Sequence, residues 1–157
     1  LKFGVLLTLD IELETRNKKT PAKDLYHNDV KTALQKDGWT ITHDPYKFEV
    51  GEVEYRIDLG AEQLIAAIKE DKKVAIEIKS FTGQSPTYDF HNALGQFLNY
   101  AVALGEYEPE RELYLAVPDS FYKSFAAKEI IRKIITRYQV KLLVFDPDNQ
   151  TLLQWIK

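Results

Sequence analysis

The run Val74-Ala75-Ile76-Glu77-Ile78-Lys79-Ser80 constrains this chain more than any other stretch. On a strand its side chains alternate, so Val74, Ile76 and Ile78 share one face while Ala75, Glu77 and Lys79 share the other. The apolar set is long enough for a central strand, which puts an acid and a lysine two residues apart on one face. Burying an unpaired charge is costly, so the pair needs a counter-ion, a metal or water. For this strand alone, a solvated sheet face explains Glu and Lys at i and i+2 at least as well.

Asp58 shifts that balance. It lies in Tyr55-Arg56-Ile57-Asp58-Leu59-Gly60, just before a strand expected to hairpin into the one carrying Glu77. Such a hairpin returns the chain beside Asp58 and brings two carboxylates together. Two carboxylates with a nearby lysine suit a hard divalent ion such as Mg²⁺, which takes oxygen ligands and keeps several waters. Asp58 and Glu77 are therefore the candidate metal ligands. Lys79 is the candidate for orienting an attacking water or offsetting developing charge. A turn residue capping backbone amides is the competing role for Asp58.

The surrounding pattern sets these residues in one mixed sheet. Residues 1–20 read as an appendage: Phe3, Val5, Leu7, Leu9, Ile11 and Leu13 alternate like a strand, and Glu14 to Thr20 is a polar linker. A vector or upstream-translated tail is an equal alternative. There is no methionine, even at the start, so a fragment of a longer chain is one reading. The domain proper spans 21–157. A helix begins near Asp24, with Leu25, Val30, Ala33 and Leu34 on one stripe and Gly38 placed to end it. Strands follow at 39–43, 53–59, 63–69 and 73–80, with a break at Asp44-Pro45 and a turn at Glu70-Asp71. The pattern continues with a helix over 88–104, a strand over 112–117 stopped by Pro118, and an amphipathic helix over 120–138. Strands at 140–145 and 151–156 are joined by Asp146-Pro147-Asp148-Asn149. This order implies an α/β, more strictly α+β, domain with a central mixed sheet covered by helices.

Composition narrows the function. At 157 residues, 45% hydrophobic and 29% charged, the chain fits one ordinary soluble domain. The absence of cysteine excludes disulfides, thiolate zinc sites and a cysteine nucleophile. No apolar run reaches membrane-spanning length and no secretory signal is recognisable, so a cytoplasmic protein without membrane association is the default expectation. A formal charge of −3 argues against unaided tight DNA binding, which needs clustered Lys and Arg. Lys123, Lys128, Arg132, Lys133 and Arg137 do give one helix a basic side that could touch phosphates, although such a stripe is more often only the solvent face of an amphipathic helix. Glu106, Glu108, Glu110 and Glu112 read as a solvated loop, and His43 and His91 as structural.

Asp58 followed by Glu77-Ile78-Lys79 resembles the Asp…Glu-x-Lys signature of the PD-(D/E)XK nuclease superfamily. Gln96-Phe97-Leu98-Asn99-Tyr100 matches the helical Gln-x-x-x-Tyr that often follows it. That resemblance implies a restriction-endonuclease-like fold, a catalytic role for Gln96 beside Asp58, Glu77 and Lys79, and Tyr100 on the same helix face. Many superfamily nucleases also carry a metal-binding acid on the first helix. The comparable place here holds His27, with Asp29 two residues on; imidazole is a poorer Mg²⁺ ligand than carboxylate but is acceptable to Mn²⁺. Mg²⁺ or Mn²⁺ is thus the expected cofactor, with His27, Asp29 and Tyr100 as additional site candidates.

More closely, from Pro21 to Lys157 the chain resembles the XisH family, control factors for excision of the fdxN element in heterocyst-forming cyanobacteria. The matching passages are 21–30, 36–46, 57–62 and 93–100. The resemblance implies a part in site-specific DNA recombination, with DNA, a recombinase and an XisI-like protein as partners; homo-oligomerisation stays open. Two functions compete: a divalent-metal-dependent DNA endonuclease-like enzyme, and a catalytically inactive accessory factor that binds DNA, the recombinase or a partner protein. A purely structural protein explains neither the strand-borne pair nor its pairing with Asp58.

Overall fold

The computed structural model describes residues 23–65 and 70–157; the alternating stretch Phe3 to Leu13 lies outside the described residues. Helix α1 (His27–Lys36) leads into β1 (Thr40–His43), the hairpin β2 (Tyr46–Val50) and β3 (Val53–Ile57), then β4 (Leu59–Ile65) and β5 (Glu70–Ile78). Helix α2 (Pro86–Tyr107), β6 (Arg111–Pro118), the short α3 (Asp119–Ser124), α4 (Glu129–Arg137), β7 (Leu142–Asp146) and β8 (Thr151–Ile156) complete it. The main sheet runs β1-β4-β5-β6-β7-β8, with β5, β6 and β7 parallel and the outer pairs antiparallel; β2 and β3 form a separate two-stranded sheet. The expected α+β architecture, a central mixed sheet flanked by helices, is the one found.

Alternation on β5 divides the core. Val74, Ile76 and Ile78 pack with Val30 and Leu34 of α1 in one cluster. Ala75 joins the opposite cluster with Phe90, Ala93 and Phe97 of α2, Phe121 and Ile131. The two parallel crossovers, β5 to β6 through α2 and β6 to β7 through α3 and α4, put their helices into that second cluster. Parallel strands need long connections, and helices covering the face supply them.

Local chemistry sets the boundaries. Gly38 ends α1 at φ +86°, a left-handed conformation that favours glycine. Its N–H bonds Gln35 O while that of Trp39 reaches back to Leu34 O. Ser85 caps α2 by accepting the Tyr88 N–H at 3.2 Å, with Pro86 at the first helical position. Ser85→Ala is expected to cost about 1 kcal/mol, read as a lower denaturant midpoint at unchanged slope.

The break at Asp44-Pro45 is found, and it is followed by β2, a strand the sequence reading did not assign, in which Tyr46 and Phe48 alternate into the α2-side core. Three expectations are corrected. Strand 53–59 is interrupted at Asp58, and the strand placed at 63–69 starts earlier, as β4 from Leu59, its part at 66–69 lying outside the described residues. Glu70 and Asp71 are not a turn but belong to β5, paired with Ile65 and Leu64. The helix over 120–138 is two helices, since the chain turns at Phe125 to Lys128 and buries Phe125 and Ala126 side by side.

Candidate functional site

Asp58 sits in the bend between β3 and β4, one step beyond the Leu59–Ile76 pair, which brings it level with Glu77 on the neighbouring strand. Its Oδ2 accepts the Ile78 N–H at 2.8 Å, so it caps a backbone amide while standing beside Glu77. That contact spends one of its two oxygens. Lys79 extends the β5–β6 pairing by donating its N–H to Ala116 O at 3.0 Å, and its Nζ lies 3.3 Å from Glu77 Oε1. Beyond it the Ser80 N–H is fixed by Asp24 Oδ2 at 3.0 Å. Phe81, at φ +53°, stacks on Phe121 and pins the chain as it leaves the strand.

A cleft of about 340 Å³ gathers Asp58, Glu77, Lys79, Gln96, Tyr100 and His27. Gln96 and Tyr100 reach it from one side of α2, as their i, i+4 spacing requires. Asp29 does not line it; its carboxylate accepts Gln150 Nε2 at 2.9 Å and ties α1 to the start of β8. Sequence reading overlooked Lys23, Asp24, Asp44 and Arg56, which line the same cleft. The recoverable signal was Asp44, an acid following a strand that ends in His43. It takes hydrogen bonds from His27 Nε2 and Lys31 Nζ, each at 2.7 Å. Burial raises the Asp44 carboxyl, but these two bonds outweigh it and hold the pKa below the ordinary value.

The electrostatics of the pair are unusual. Glu77 is only 5% exposed, and its Oε2 is buried without a hydrogen-bond partner. Burial, reinforced by the Asp58 charge and only partly offset by Lys79, pushes its pKa up to about 8. Burial likewise raises Asp58, against the Ile78 amide, His27 and Lys79. Tyr100 is lifted to about 12 by burial and by both carboxylates, so its hydroxyl keeps its proton. Desolvated carboxylates facing one another with too little positive charge either hold protons or hold a cation. Among the described residues no three His, Asp or Glu side chains stand close enough to enclose a metal ion. Two carboxylates, one with an orphaned oxygen, still fit a hard divalent ion that keeps most of its waters.

Other acids miscast as solvated are tied down. Glu108 accepts from Tyr46 and from Arg111, while Glu112 takes Tyr114, Lys141 and Lys157. His43 stacks edge-on against Tyr46 and lies outside the cleft. No described helix is long and apolar enough to cross a membrane.

A helix-flanked mixed sheet with a carboxylate-lined cleft at the end of its central strand thus defines the class of this protein. The chain belongs to the XisH family, described as XisH protein, which it matches over residues 20–153. It is similar to the crystal structure of an XisH family protein from Nostoc punctiforme PCC 73102, with 44% identity, a TM-score of 0.78, and coverage of 85% of this chain and 100% of that one. It is also similar to an fdxN element excision controlling factor protein from Anabaena variabilis, with 46% identity, a TM-score of 0.79, and coverage of 86% and 100%. No curated protein matches it.

Proposed function

We propose that this chain acts in controlling excision of a DNA element, as a divalent-metal-dependent phosphodiesterase of the PD-(D/E)XK, restriction-endonuclease-like type. The observation that carries this is the orphaned, buried Oε2 of Glu77 beside Asp58 and Lys79. Asp58 and Glu77 would hold Mg²⁺ or Mn²⁺. When bound, such an ion polarises a phosphate and makes hydroxide accessible at neutral pH. Lys79, ion-paired with Glu77, orients the attacking water and offsets charge on the phosphate. Gln96 lines the cleft from α2 and positions the same water, while Tyr100, held protonated, is a donor toward a phosphate oxygen. Arg56 and Lys23 add positive charge at the cleft walls.

The test is cleavage of supercoiled, single-stranded and branched DNA with Mg²⁺ or Mn²⁺. Cutting is expected, with Asp58→Asn and Lys79→Ala each at least about a hundredfold slower, the scale of losing one preorganised electrostatic contact. DNA left uncut under all these conditions removes the enzymatic reading.

A second reading is favoured by the lack of a ready three-donor cluster among the described residues and by the net charge of −3. In it the domain is an accessory factor that binds DNA, a recombinase or an XisI-like protein without cleaving, since a fold outlives its chemistry. Excision preserved in cells carrying Glu77→Ala supports this reading; excision lost with the protein folded supports the first.

A further inference from the structure

The β2–β3 hairpin sorts its charges in a way that a solvated face does not require. Tyr46, Phe48 and Val50 alternate with Lys47 and Glu49 on β2, and Tyr55 and Ile57 with Glu54 and Arg56 on β3, so the four charged side chains share the outer face. The inner face is fixed to α2, where Phe48 stacks on Tyr107 at 5.0 Å and Tyr55 meets Tyr100 edge-on at 6.4 Å. On the outer face Lys47 stands directly opposite Arg56, and Glu49 directly opposite Glu54. Like charges so placed destabilise a strand pair, and exchanging the two residues on either strand would make both pairs attractive. None of the four takes part in an ion pair among the described residues. A groove of about 510 Å³ is lined by them together with Phe48 and Tyr55. Arg56 also lines the cleft that holds Asp58 and Glu77, so the cationic pair lies at the cleft end of the hairpin and the acidic pair toward the turn at Gly51.

Two facing cations without a carboxylate call for an anion, and Cβ atoms about 5 Å apart across a strand pair let both side chains close on one group. A phosphate suits them, since Arg forks onto two of its oxygens and Lys adds a point charge. Resting on the phosphodiester reading above, we propose that Lys47 and Arg56 hold a backbone phosphate of duplex DNA adjacent to the one in the cleft, and that the hairpin carries the strand away from it. The Glu49–Glu54 pair repels phosphate and marks where that path leaves the hairpin. The same order of signs would let a second copy lie face to face on the hairpin, cations over acids. Exposed ion pairs contribute little, however, and a face of four side chains falls well short of the roughly 800 Å² per partner of a stable interface. The phosphate contact needs no such area, because it adds to the contacts in the cleft.

The experiment is an anisotropy titration of a labelled DNA duplex at several salt concentrations, in Ca²⁺, which takes oxygen ligands as Mg²⁺ does. Lys47→Glu combined with Glu49→Lys exchanges two charges within β2, leaves the net charge and the cleft lining as they are, and makes both cross-strand pairs attractive. This double variant is expected to melt at or above wild type, yet to bind DNA at least about tenfold more weakly, the factor for losing one charge-assisted hydrogen bond. The slope of log K against log salt is expected to fall by about 1, alike for unrelated DNA sequences. Wild-type affinity and slope in the double variant overturn the proposal and leave the catalytic reading standing. DNA bound in the expected way but left uncut in Mg²⁺ or Mn²⁺ removes the catalytic reading and leaves the hairpin contact. A wild type that binds no DNA at low salt overturns both. A change from dimer to monomer with unaltered DNA affinity overturns the proposal and gives the face to a second copy. Should the double variant fail to fold, Lys47→Gln at this exposed position carries the test, with the same expected fall in slope; an unchanged slope there overturns the contact.

Discussion

Without added metal, this protein is expected to lose stability as pH rises from about 5 to about 8, a window in which protein stability is generally near its maximum. The cause is Glu77, whose pKa is raised from 4.5 to about 8 by burial and by Asp58. Above pH 4.5 the unfolded chain has released this proton while the folded chain keeps it. Fewer protons are then bound in the unfolded state, so stability falls with rising pH until the folded form also titrates. The stability is fully present below 4.5 and its loss is complete near 8. The span of the shift limits the loss to roughly 5 kcal/mol at 1.36 kcal/mol per pH unit. Asp58 is raised as well and acts in the same direction. The opposing groups do not mask it: Glu108 and Glu112, each lowered to about 2, are destabilising only on acidification below 4.5. Thermal melts across pH 5 to 8 would read the effect. Glu77→Gln should flatten the slope and melt higher than wild type at pH 8, and saturating Mg²⁺ or Mn²⁺ should do the same for wild type. An unchanged slope in Glu77→Gln would mean that the carboxyl is hydrated.

Much of this site was legible because strand alternation is a rigid rule. Once Val74, Ile76 and Ile78 are assigned to one face, Glu77 and Lys79 have nowhere to point but the other, and a hairpin into β5 returns the chain to Asp58. Gln96 and Tyr100 were singled out by the superfamily resemblance, and helical spacing added only that they share one face. What stayed hidden depends on tertiary approach. Asp44 was taken as punctuation before proline, yet it is the anchor of His27, which lies 17 residues earlier. Asp29 carries the same chemistry in the first helix but is turned toward Gln150, because the helix face holding Val30 and Leu34 must meet the sheet. The break in the expected 120–138 helix was invisible for a similar reason: Phe121, Phe125, Ile130, Ile134 and Ile135 keep helical spacing across a turn that the core imposes.

Arg111 is expected to be the most damaging polar residue to remove, and nothing in the sequence distinguished it from a loop cation. It is 4% exposed at the start of β6. Its guanidinium donates to Glu108 at 2.6 Å, to Glu62 at 3.0 Å and to Val74 O at 3.0 Å, and it lies 4.7 Å over the Tyr46 ring. One planar group thus joins β4, β5, the β2 hairpin and the end of α2, a geometry that lysine cannot reproduce. Taking one partner from a buried ion pair costs about 3–5 kcal/mol, because the remaining charge is left uncompensated. Glu62 and Glu108 retain some access to water, which favours the lower end. Val74 O gains no such relief, since Val74 is fully buried. Arg111→Met should therefore lose about 3 kcal/mol, measured by urea unfolding. Adding Glu108→Gln should restore part of that loss by removing the orphaned carboxylate. The network sits at the opposite end of the β5–β6 pair from Glu77, which faces Leu115 while Arg111 faces Lys73. Mn²⁺ affinity of folded Arg111→Met should accordingly match wild type. A loss under about 1 kcal/mol would instead show that the carboxylates rehydrate freely and that packing, rather than the ion network, holds this corner of the sheet.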